Sequence, residues 1–202
     1  MDETALIEDA LKGDLEAFNR LVLAYQDMVY NQAYRMMGES DSAADATQEA
    51  FISAFKKLHT YRGGSFRAWL LRIVTNACYD EFRRRKRRPT VPLKPQDDYG
   101  EEIETPSWLT DDHESPEDTL ERADLSEAIQ SCLDKLSPNF RAVVVLVDVQ
   151  GLDYADAASA MNSPIGTVKS RLARARNQLQ ECLQTFRELL PLTYRLEDEA
   201  SL

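Results

Sequence analysis

The fold is decided by residues 154–183, which read YADAASAMNSPIGTVKSRLARARNQLQECL. An alanine-rich segment, residues 156–161, leads into Asn162, Ser163 and Pro164. Asn tolerates the left-handed backbone of a tight turn, while Ser is a favoured N-cap and Pro a favoured first helical residue. The spacing therefore predicts two helices joined by a short turn, which is the layout of a helix-turn-helix motif.

The second of these helices has an apolar side and a basic side. At about 100° per residue, one arc of its surface collects Val168, Leu172, Ala175 and Leu179. With Arg171 at the border, the other arc carries small, polar and cationic residues: Lys169, Ser170, Ala173, Arg174, Arg176 and Asn177. Arg and Lys bind guanine edges in the major groove, and Ser and Asn bind adenine or phosphate, so this face predicts duplex DNA binding. The alternative is a solvated helix with surplus arginine.

Most of the negative charge lies in one short stretch. The chain has 202 residues and a net charge of -11, but residues 94–122 alone carry -9 and residues 1–93 carry +1. Residues 89–117 contain five prolines and few aliphatic side chains. Such a segment buries too little apolar surface to offset its ordering entropy. We therefore predict an all-α fold of two small helical domains joined by an acidic, Pro-containing linker.

The N-terminal half predicts four helices. Apolar residues recur at helical spacing between residues 4 and 85, interrupted at Gly13, at Gly38 and at a turn containing Gly63 and Gly64. In the C-terminal half, residues 142–149 are rich in β-branched side chains and read as a strand by propensity alone. Every neighbouring segment reads as helix and a lone strand has no partner, so we predict a buried helix there.

The fourth helix, from about residue 66 to residue 85, also has two distinct sides. Its apolar stripe contains Phe66, Leu70, Ile73, Val74 and Ala77. The opposite face carries Arg72, Thr75, Asn76, Tyr79 and Arg83, and the helix ends in the basic run of residues 83–88. This combination fits phosphate contact together with stacking on unpaired bases. The alternative is a solvated face with a basic tail.

Catalysis finds little support in the sequence. There is no Gly-rich phosphate loop, nucleophile elbow or His-Glu metal signature. Three cysteines, Cys78, Cys132 and Cys182, are far apart and fit no disulfide framework, and two histidines leave little from which to build a metal site. No apolar run approaches the ~20 residues that span a bilayer. We expect a protein that is not an enzyme, has no metal or cofactor, and works in a reducing cytoplasm.

Four motifs together resemble a known family. They are residues 45–51 (DATQEAF), 61–63 (YRG), 66–70 (FRAWL) and 166–176 (GTVKSRLARAR). In this order and spacing they resemble the extracytoplasmic function (ECF) sigma factors, small two-domain subunits of bacterial RNA polymerase. The resemblance covers roughly residues 5–93 and 120–185. It implies a region 2 domain at residues 1–93 and a region 4 domain at 123–186, joined by the linker at 94–122. The tail at 187–202 extends past the usual end of the family and has an unknown role.

The resemblance also implies three binding surfaces. Contact with core polymerase, through the clamp helices of its largest subunit, is assigned to Asp45, Gln48, Glu49 and Phe51, of which Phe51 is expected to pack. Capture and melting of the minus-10 element is assigned to Tyr61, Arg62, Phe66, Arg72, Asn76, Tyr79, Arg83 and Arg84, with Asn76 lining the pocket for a flipped base. Readout of the minus-35 element is assigned to Thr167, Lys169, Ser170, Arg171, Arg174 and Arg176.

The implied partners are core polymerase, including its flap, promoter DNA and an anti-sigma factor, with no membrane insertion. The implied function is promoter-specific initiation in a stress or envelope response. The acidic linker is either a nucleic-acid mimic in the polymerase channel or a solvating spacer, and the sequence favours neither.

Two other functions compete with this one. A stand-alone helix-turn-helix regulator would bind duplex DNA without polymerase, but it leaves residues 45–51 and the basic fourth helix without a purpose. An enzyme with an attached DNA-binding module lacks any catalytic constellation.

Overall fold

The structure is a computed structural model that describes residues 2–87 and 116–190, with side chains described from residue 122 in the second range. All regular secondary structure in these ranges is helical, which confirms the all-α class. Most of the acidic linker, the end of the basic run and tail residues 191–202 lie outside the described residues. None of the described helices is long and apolar enough to cross a membrane.

The N-terminal domain consists of four α-helices: α1 (Glu3–Leu11), α2 (Leu15–Met37), α3 (Ser40–Lys57) and α4 (Phe66–Arg87). Asp14 caps α2, because its carboxylate accepts hydrogen bonds from two backbone amides of the first turn. The helix ends at Gly38, whose φ of 78° is the left-handed conformation of a C-cap glycine. A short 3-10 helix, Leu58–Thr60, follows α3.

The C-terminal domain also consists of four α-helices: α5 (Pro116–Lys135), α6 (Pro138–Val144), α7 (Tyr154–Ala160) and α8 (Ile165–Gln184). A π-helical segment, Val145–Val149, continues α6. The Val-rich stretch is therefore helical as predicted, because Val143 and Val145 are fully buried among helices. Helix α5 begins at Pro116, within the range predicted for the linker.

The helix-turn-helix is present with a small shift in its turn. Asn162 has a φ of 47°, as the turn requires. Pro164 occupies the N-cap position and α8 begins at Ile165, so the predicted N-cap role of Ser163 is wrong by one residue. The Ser163 hydroxyl instead donates to the carbonyl of Met161 and accepts from Arg171.

The two domains pack directly against each other, a feature that the sequence did not indicate. Arg141 of α6 is buried and donates to the Met36 carbonyl of α2 at 2.6 Å. Arg67 of α4 donates to the backbone carbonyl of Gln150. Helix α4 also contacts α7. We call this arrangement the closed packing.

Cysteine pairing is where the sequence-based expectation is wrong. Cys132 of α5 and Cys182 near the end of α8 form a disulfide, with Cα atoms 5.7 Å apart. The two residues are 50 positions apart in the chain, and only the packing of α5 along the end of α8 brings them together. Cys78 is buried and unpaired, in agreement with its predicted role as a small apolar residue.

Candidate nucleic-acid interface

Helix α8 presents the outer face that its sequence predicts. Val168, Leu172 and Ala175 are each at most 2% exposed and anchor the helix in its domain. On the opposite side, the side chains of Lys169, Ser170, Arg174 and Arg176 are exposed. Thr167 is half-buried. A helix anchored by one apolar stripe with cations on the other has the form of a major-groove reader.

The cations of α8 differ in how they are held. Arg176 forms a two-point ion pair with Asp148, with nitrogen–oxygen distances of 3.1 and 2.5 Å, and this hydrogen bonding raises the pKa of Arg176. Lys169 lies 5.3 Å from the centre of the Tyr154 ring. Arg171 donates to Ser163 across the turn. Arg174 makes no ion pair with any residue in the described ranges, so its guanidinium is the most available for DNA.

Helix α4 exposes fewer of its predicted DNA contacts than expected. Arg72 and Asn76 are exposed, as predicted. Thr75 is buried instead, where its hydroxyl donates to the Leu71 carbonyl and accepts from Gln32. Tyr79 is half-buried, and its hydroxyl has no hydrogen-bond partner among the described residues. Burial raises the pKa of Tyr79 to about 12.

The loop before α4 is shaped by aromatic contacts. Tyr61 donates its hydroxyl proton to the Gly64 carbonyl at 2.6 Å, and its ring packs edge-on against Phe66 and Trp69. Phe66 is only 2% exposed, so the expectation that it contacts DNA directly does not hold in this structure: its ring lies in the core, beneath Tyr61. Arg62 is exposed and donates to the His59 carbonyl.

The basic end of α4 is already partly neutralised within the chain. Arg83 pairs with Asp80 and Arg84 with Glu81, each at 2.7 Å. Both arginines are more than two-thirds exposed, and such surface pairs contribute about 0–1 kcal/mol. A phosphate group can therefore replace these carboxylates at little cost.

Helix α3 contains residues 45–51, the segment assigned to contact with core polymerase. Asp45, Gln48 and Glu49 are exposed. Phe51 is half-buried and packs against the core, as expected. The next turn exposes two large apolar side chains that the sequence reading left out: Ile52 and Phe55, which are 40% and 45% exposed. Ile52 and Phe55 lie four and seven residues after Gln48, and this spacing places them on the same side of the helix.

Comparison with known proteins decides the family. Residues 21–88 match the family described as Sigma-70 region 2, and residues 126–179 match Sigma-70 region 4. RNA polymerase sigma-H factor of Pseudomonas aeruginosa is 35% identical, over 89% of this chain and 92% of its own length. ECF RNA polymerase sigma factor SigW of Bacillus subtilis is 35% identical, over 88% and 95%. The chain belongs to the ECF sigma factors.

A third relative and two solved structures are also similar. ECF RNA polymerase sigma factor SigE of Mycolicibacterium smegmatis is 38% identical over 84% of this chain, which spans 62% of that relative. The sigma factor RpoE in complex with the anti-sigma factor NepR, from Bartonella quintana, has 25% identity and a TM-score of 0.62 over 84% of this chain and 98% of its own. CnrH in complex with the cytosolic domain of CnrY has 26% identity and a TM-score of 0.62 over 90% and 96%.

These findings confirm an RNA polymerase sigma factor with region 2 in the N-terminal domain and region 4 in the C-terminal domain. They do not favour the stand-alone regulator. ECF sigma factors are transcription initiation factors, whose regions 2 and 4 bind core polymerase and promoter DNA.

In the closed packing, α4 of region 2 lies next to the helix-turn-helix of region 4. Arg72 of α4 lines an open cavity of about 400 Å³ together with residues of the helix-turn-helix: Ala158, Ser159, Asn162, Ser163 and Pro164. The positive charge of Arg171 also acts on Tyr79 of α4. The outer face of α4 therefore lies opposite the turn that precedes α8.

Proposed function

We propose that this sigma factor binds core polymerase through α3, captures the minus-10 element with α4 and the preceding loop, and reads the minus-35 element with α8. One observation carries the proposal. Asn76 in region 2 and Arg174 in region 4 are both exposed on helices whose opposite sides form the core of their domains. Burial of either residue within its own domain would have left no room for DNA.

In the minus-35 complex, Lys169 and Arg174 contact base edges or phosphates, and Thr167 and Ser170 supply hydroxyl groups near the start of the helix. Arg171 and Arg176 have a second task. Because Arg171 bonds to Ser163 and Arg176 to Asp148, each also braces the recognition helix against its own domain.

In the minus-10 complex, Asn76 offers an amide to the edge of a flipped base, and Arg72, Arg83 and Arg84 bind the phosphate backbone. Tyr61 and Arg62 act from the loop. Phe66 supports that loop from below. Tyr79 becomes available for stacking once region 4 leaves the outer face of α4.

Core binding uses Asp45, Gln48 and Glu49 as polar contacts with the clamp helices, while Phe51 packs inward. We add Ile52 and Phe55 to this surface, because large exposed apolar side chains beside polar contacts are typical of a protein interface. Region 4 contacts the polymerase flap.

Regulation by an anti-sigma factor fits the same surfaces. Two solved structures similar to this chain are of the sigma factor RpoE in complex with the anti-sigma factor NepR and of CnrH in complex with the cytosolic domain of CnrY. We infer that a comparable partner holds this sigma factor inactive, in the cytoplasm where polymerase and promoter DNA are found. We also infer that the chain is not an enzyme and needs no cofactor, since initiation requires binding and DNA melting, and the synthesis chemistry belongs to core polymerase.

Run-off transcription tests the proposal. The purified full-length chain is added to bacterial core polymerase with a library of genomic promoter fragments. Defined transcripts that depend on both proteins are the expected result. Binding of the chain alone to duplex promoter DNA, without association with core and without transcripts, would instead identify a stand-alone regulator.

A further inference from the structure

The disulfide between α5 and α8 has a protected end and an accessible end. Cys132 is 1% exposed, whereas Cys182 is half-buried near the C-terminal end of α8. A thiol or peroxide from solution therefore meets the sulfur of Cys182 first. The third cysteine, Cys78, is buried in the other domain and lies outside this pair.

A lysine equips Cys182 for thiol chemistry. The Lys135 ammonium lies 3.5 Å from the Sγ of Cys182, and the same ammonium is 5.8 Å from the centre of the Phe186 ring. A cation at this distance stabilises the thiolate, which is the form of cysteine that attacks peroxides and disulfides. Lys135 and Cys132 lie on the same turn of α5, so one short segment holds both the lysine and the protected partner.

Helix α5 is one of the elements of region 4 that contact region 2. Arg35 of α2 donates to the carbonyl and hydroxyl of Ser126 and to the side chain of Gln130. The Asp134 carboxylate lies so close to Gly38 that a Cβ there would be 2.7 Å from it. Helix α5 therefore contacts α2 on one side and is bonded covalently to the recognition helix on the other.

We propose that Cys132 and Cys182 are a reversible redox pair. Oxidised, the disulfide holds α8 against α5, the region 4 helix that contacts α2, and so stabilises the closed packing; reduced, it leaves α5 less firmly held and favours separation of region 4 from region 2. The transcriptional consequence rests on the proposed sigma function. Disulfides are rare in a reducing cytoplasm, and those that form there are mostly transient and redox-sensing or catalytic, which favours a switch over a permanent bond.

The chemistry balances in both directions. For reduction, a thiolate of a dithiol attacks Cys182 Sγ, the S–S bond breaks, and its electron pair goes to Cys132 Sγ, which takes up a proton. The second thiol of the reductant then displaces Cys182 as a thiolate beside Lys135 and leaves as a cyclic disulfide. For oxidation, the Cys182 thiolate attacks hydrogen peroxide, the O–O bond breaks, and hydroxide leaves and takes up a proton to give water, so that Cys182 becomes a sulfenic acid. The Cys132 thiol then displaces water from it and restores the disulfide.

Thiol counting tests the redox pair itself. The full-length protein is equilibrated with reduced and oxidised dithiothreitol, quenched in acid, and alkylated under denaturing conditions for mass spectrometry. We expect one alkylated cysteine in the oxidised form and three in the reduced form, with peroxide restoring the first. In the Cys78→Ala control the counts become zero and two. Three alkylated cysteines after peroxide treatment would overturn the proposed pair. A disulfide that dithiothreitol fails to reduce in the folded protein would also overturn it.

The Lys135→Met variant separates a reactive site from a passive one. It retains most of the side-chain length beside Phe186 but removes the charge, so peroxide should oxidise the reduced protein at least 5-fold more slowly than wild type. An unchanged rate contradicts the role given to Lys135. Thermal unfolding of the reduced variant, matched to reduced wild type, controls for damage to the fold.

The conformational consequence has its own readouts. Small-angle X-ray scattering should give a larger radius of gyration for the reduced protein than for the oxidised protein, and core polymerase should bind the reduced form at least 5-fold more tightly. Cys182→Ser should behave as the reduced form even after peroxide. Equal radii and equal core affinities would overturn the switch. If neither form supports transcription with core, the proposed function fails, while the thiol counts still decide the redox pair.

Discussion

Arg141 of region 4 donates a 2.6 Å hydrogen bond to the carbonyl of Met36, in the last turn of α2 in region 2. The same guanidinium pairs with Asp134 and donates to the Asp134 carbonyl at 2.7 Å. Burial lowers the pKa of Arg141, because removing the guanidinium from water disfavours its charged form. The hydrogen bonds to Met36 and Asp134 and the ion pair with Asp134 offset this desolvation cost. Arg141 thus fastens the end of α2 to the junction between α5 and α6.

Replacing Arg141 with Met should weaken the closed packing. The Met36 carbonyl loses its partner and the charge is removed, so we expect a loss of about 1–3 kcal/mol in the free energy of unfolding. The proposed switch requires closed molecules to open before they bind core, so we also expect tighter core binding. Urea unfolding and polymerase titration measure the two effects. Arg20→Met, at an exposed position of α2, is the matched control; equal effects from both variants would argue against a fastening role.

Arg174 and Arg176 should contribute unequally to minus-35 binding. Arg174→Ala removes an available cation, and we expect a loss of about 1–3 kcal/mol if it makes a bidentate base contact. Arg176→Ala should cost less, because Asp148 already competes for that guanidinium. Fluorescence anisotropy with a minus-35 duplex at fixed salt gives both values. A larger loss of minus-35 affinity from Arg176→Ala than from Arg174→Ala would contradict the view that Arg174 is the more available cation.

Asn76 and Phe66 should fail in different ways. Asn76→Ala lies on the exposed face of α4 and should leave core binding and unfolding unchanged while impairing promoter melting. Phe66→Ala removes a ring from the core and should destabilise region 2 by about 3–5 kcal/mol. Permanganate footprinting of the minus-10 element, with urea unfolding of both variants, separates the two effects. Weaker core binding by Asn76→Ala would contradict the division of labour proposed for region 2.

Charge reversal at Glu49 tests the core-binding face. Glu49→Lys should lower affinity for core polymerase at least 10-fold with the fold intact, since Glu49 is exposed and its hydrogen bond to Ser53 is long, at 3.4 Å. Phe55→Ala should add a comparable loss if the apolar turn belongs to the same surface. Asp27→Lys, at an exposed position of α2, provides the charge-matched control. Circular dichroism verifies the fold of each variant.

Alkaline pH should destabilise the protein through Tyr79. Its pKa is raised from 10.0 to about 12 by burial, so the unfolded chain loses this proton at lower pH than the folded chain. The stabilising contribution is present below pH 10 and is lost as the pH rises from 10 to 12. Tyr79→Phe should flatten the fall in unfolding free energy over this window. The pKa of Tyr25 is also raised to about 12, so Tyr25 lowers the free energy of unfolding over the same pH range. The Tyr79→Phe variant should therefore show a shallower pH dependence than wild type, but not a flat one.

Local patterns were sufficient to predict the helices, the turn at Asn162 and the two-sided character of α8, because each depends on residues close together in the chain. The prediction of a buried helix at residues 142–149 needed one further argument, namely that a single strand would have no partner strand. Thr75 was placed on the wrong side of α4, since a hydroxyl that bonds to its own helix and to Gln32 can be buried without cost.

Contacts between distant segments were beyond reach of these patterns. The Cys132–Cys182 disulfide depends on how α5 lies along α8, and the bond from Arg141 to Met36 depends on how two domains meet. Phe66 was assigned to DNA because its motif lies beside the minus-10 loop, and only the packing of Tyr61 over it reveals its supporting role.

The cavity between Arg72 and the helix-turn-helix has a consequence for the order of events at a promoter. The two promoter elements are centred roughly 25 base pairs apart, or ~85 Å at ~3.4 Å per base pair, whereas Arg72 of α4 and the turn before α8 line the same cavity here. The 28 residues between Arg87 and Pro116 reach at most about 100 Å, enough to cover that distance when nearly taut. The closed molecule is too compact to contact both elements at once, so engagement of a complete promoter requires the two domains to separate first.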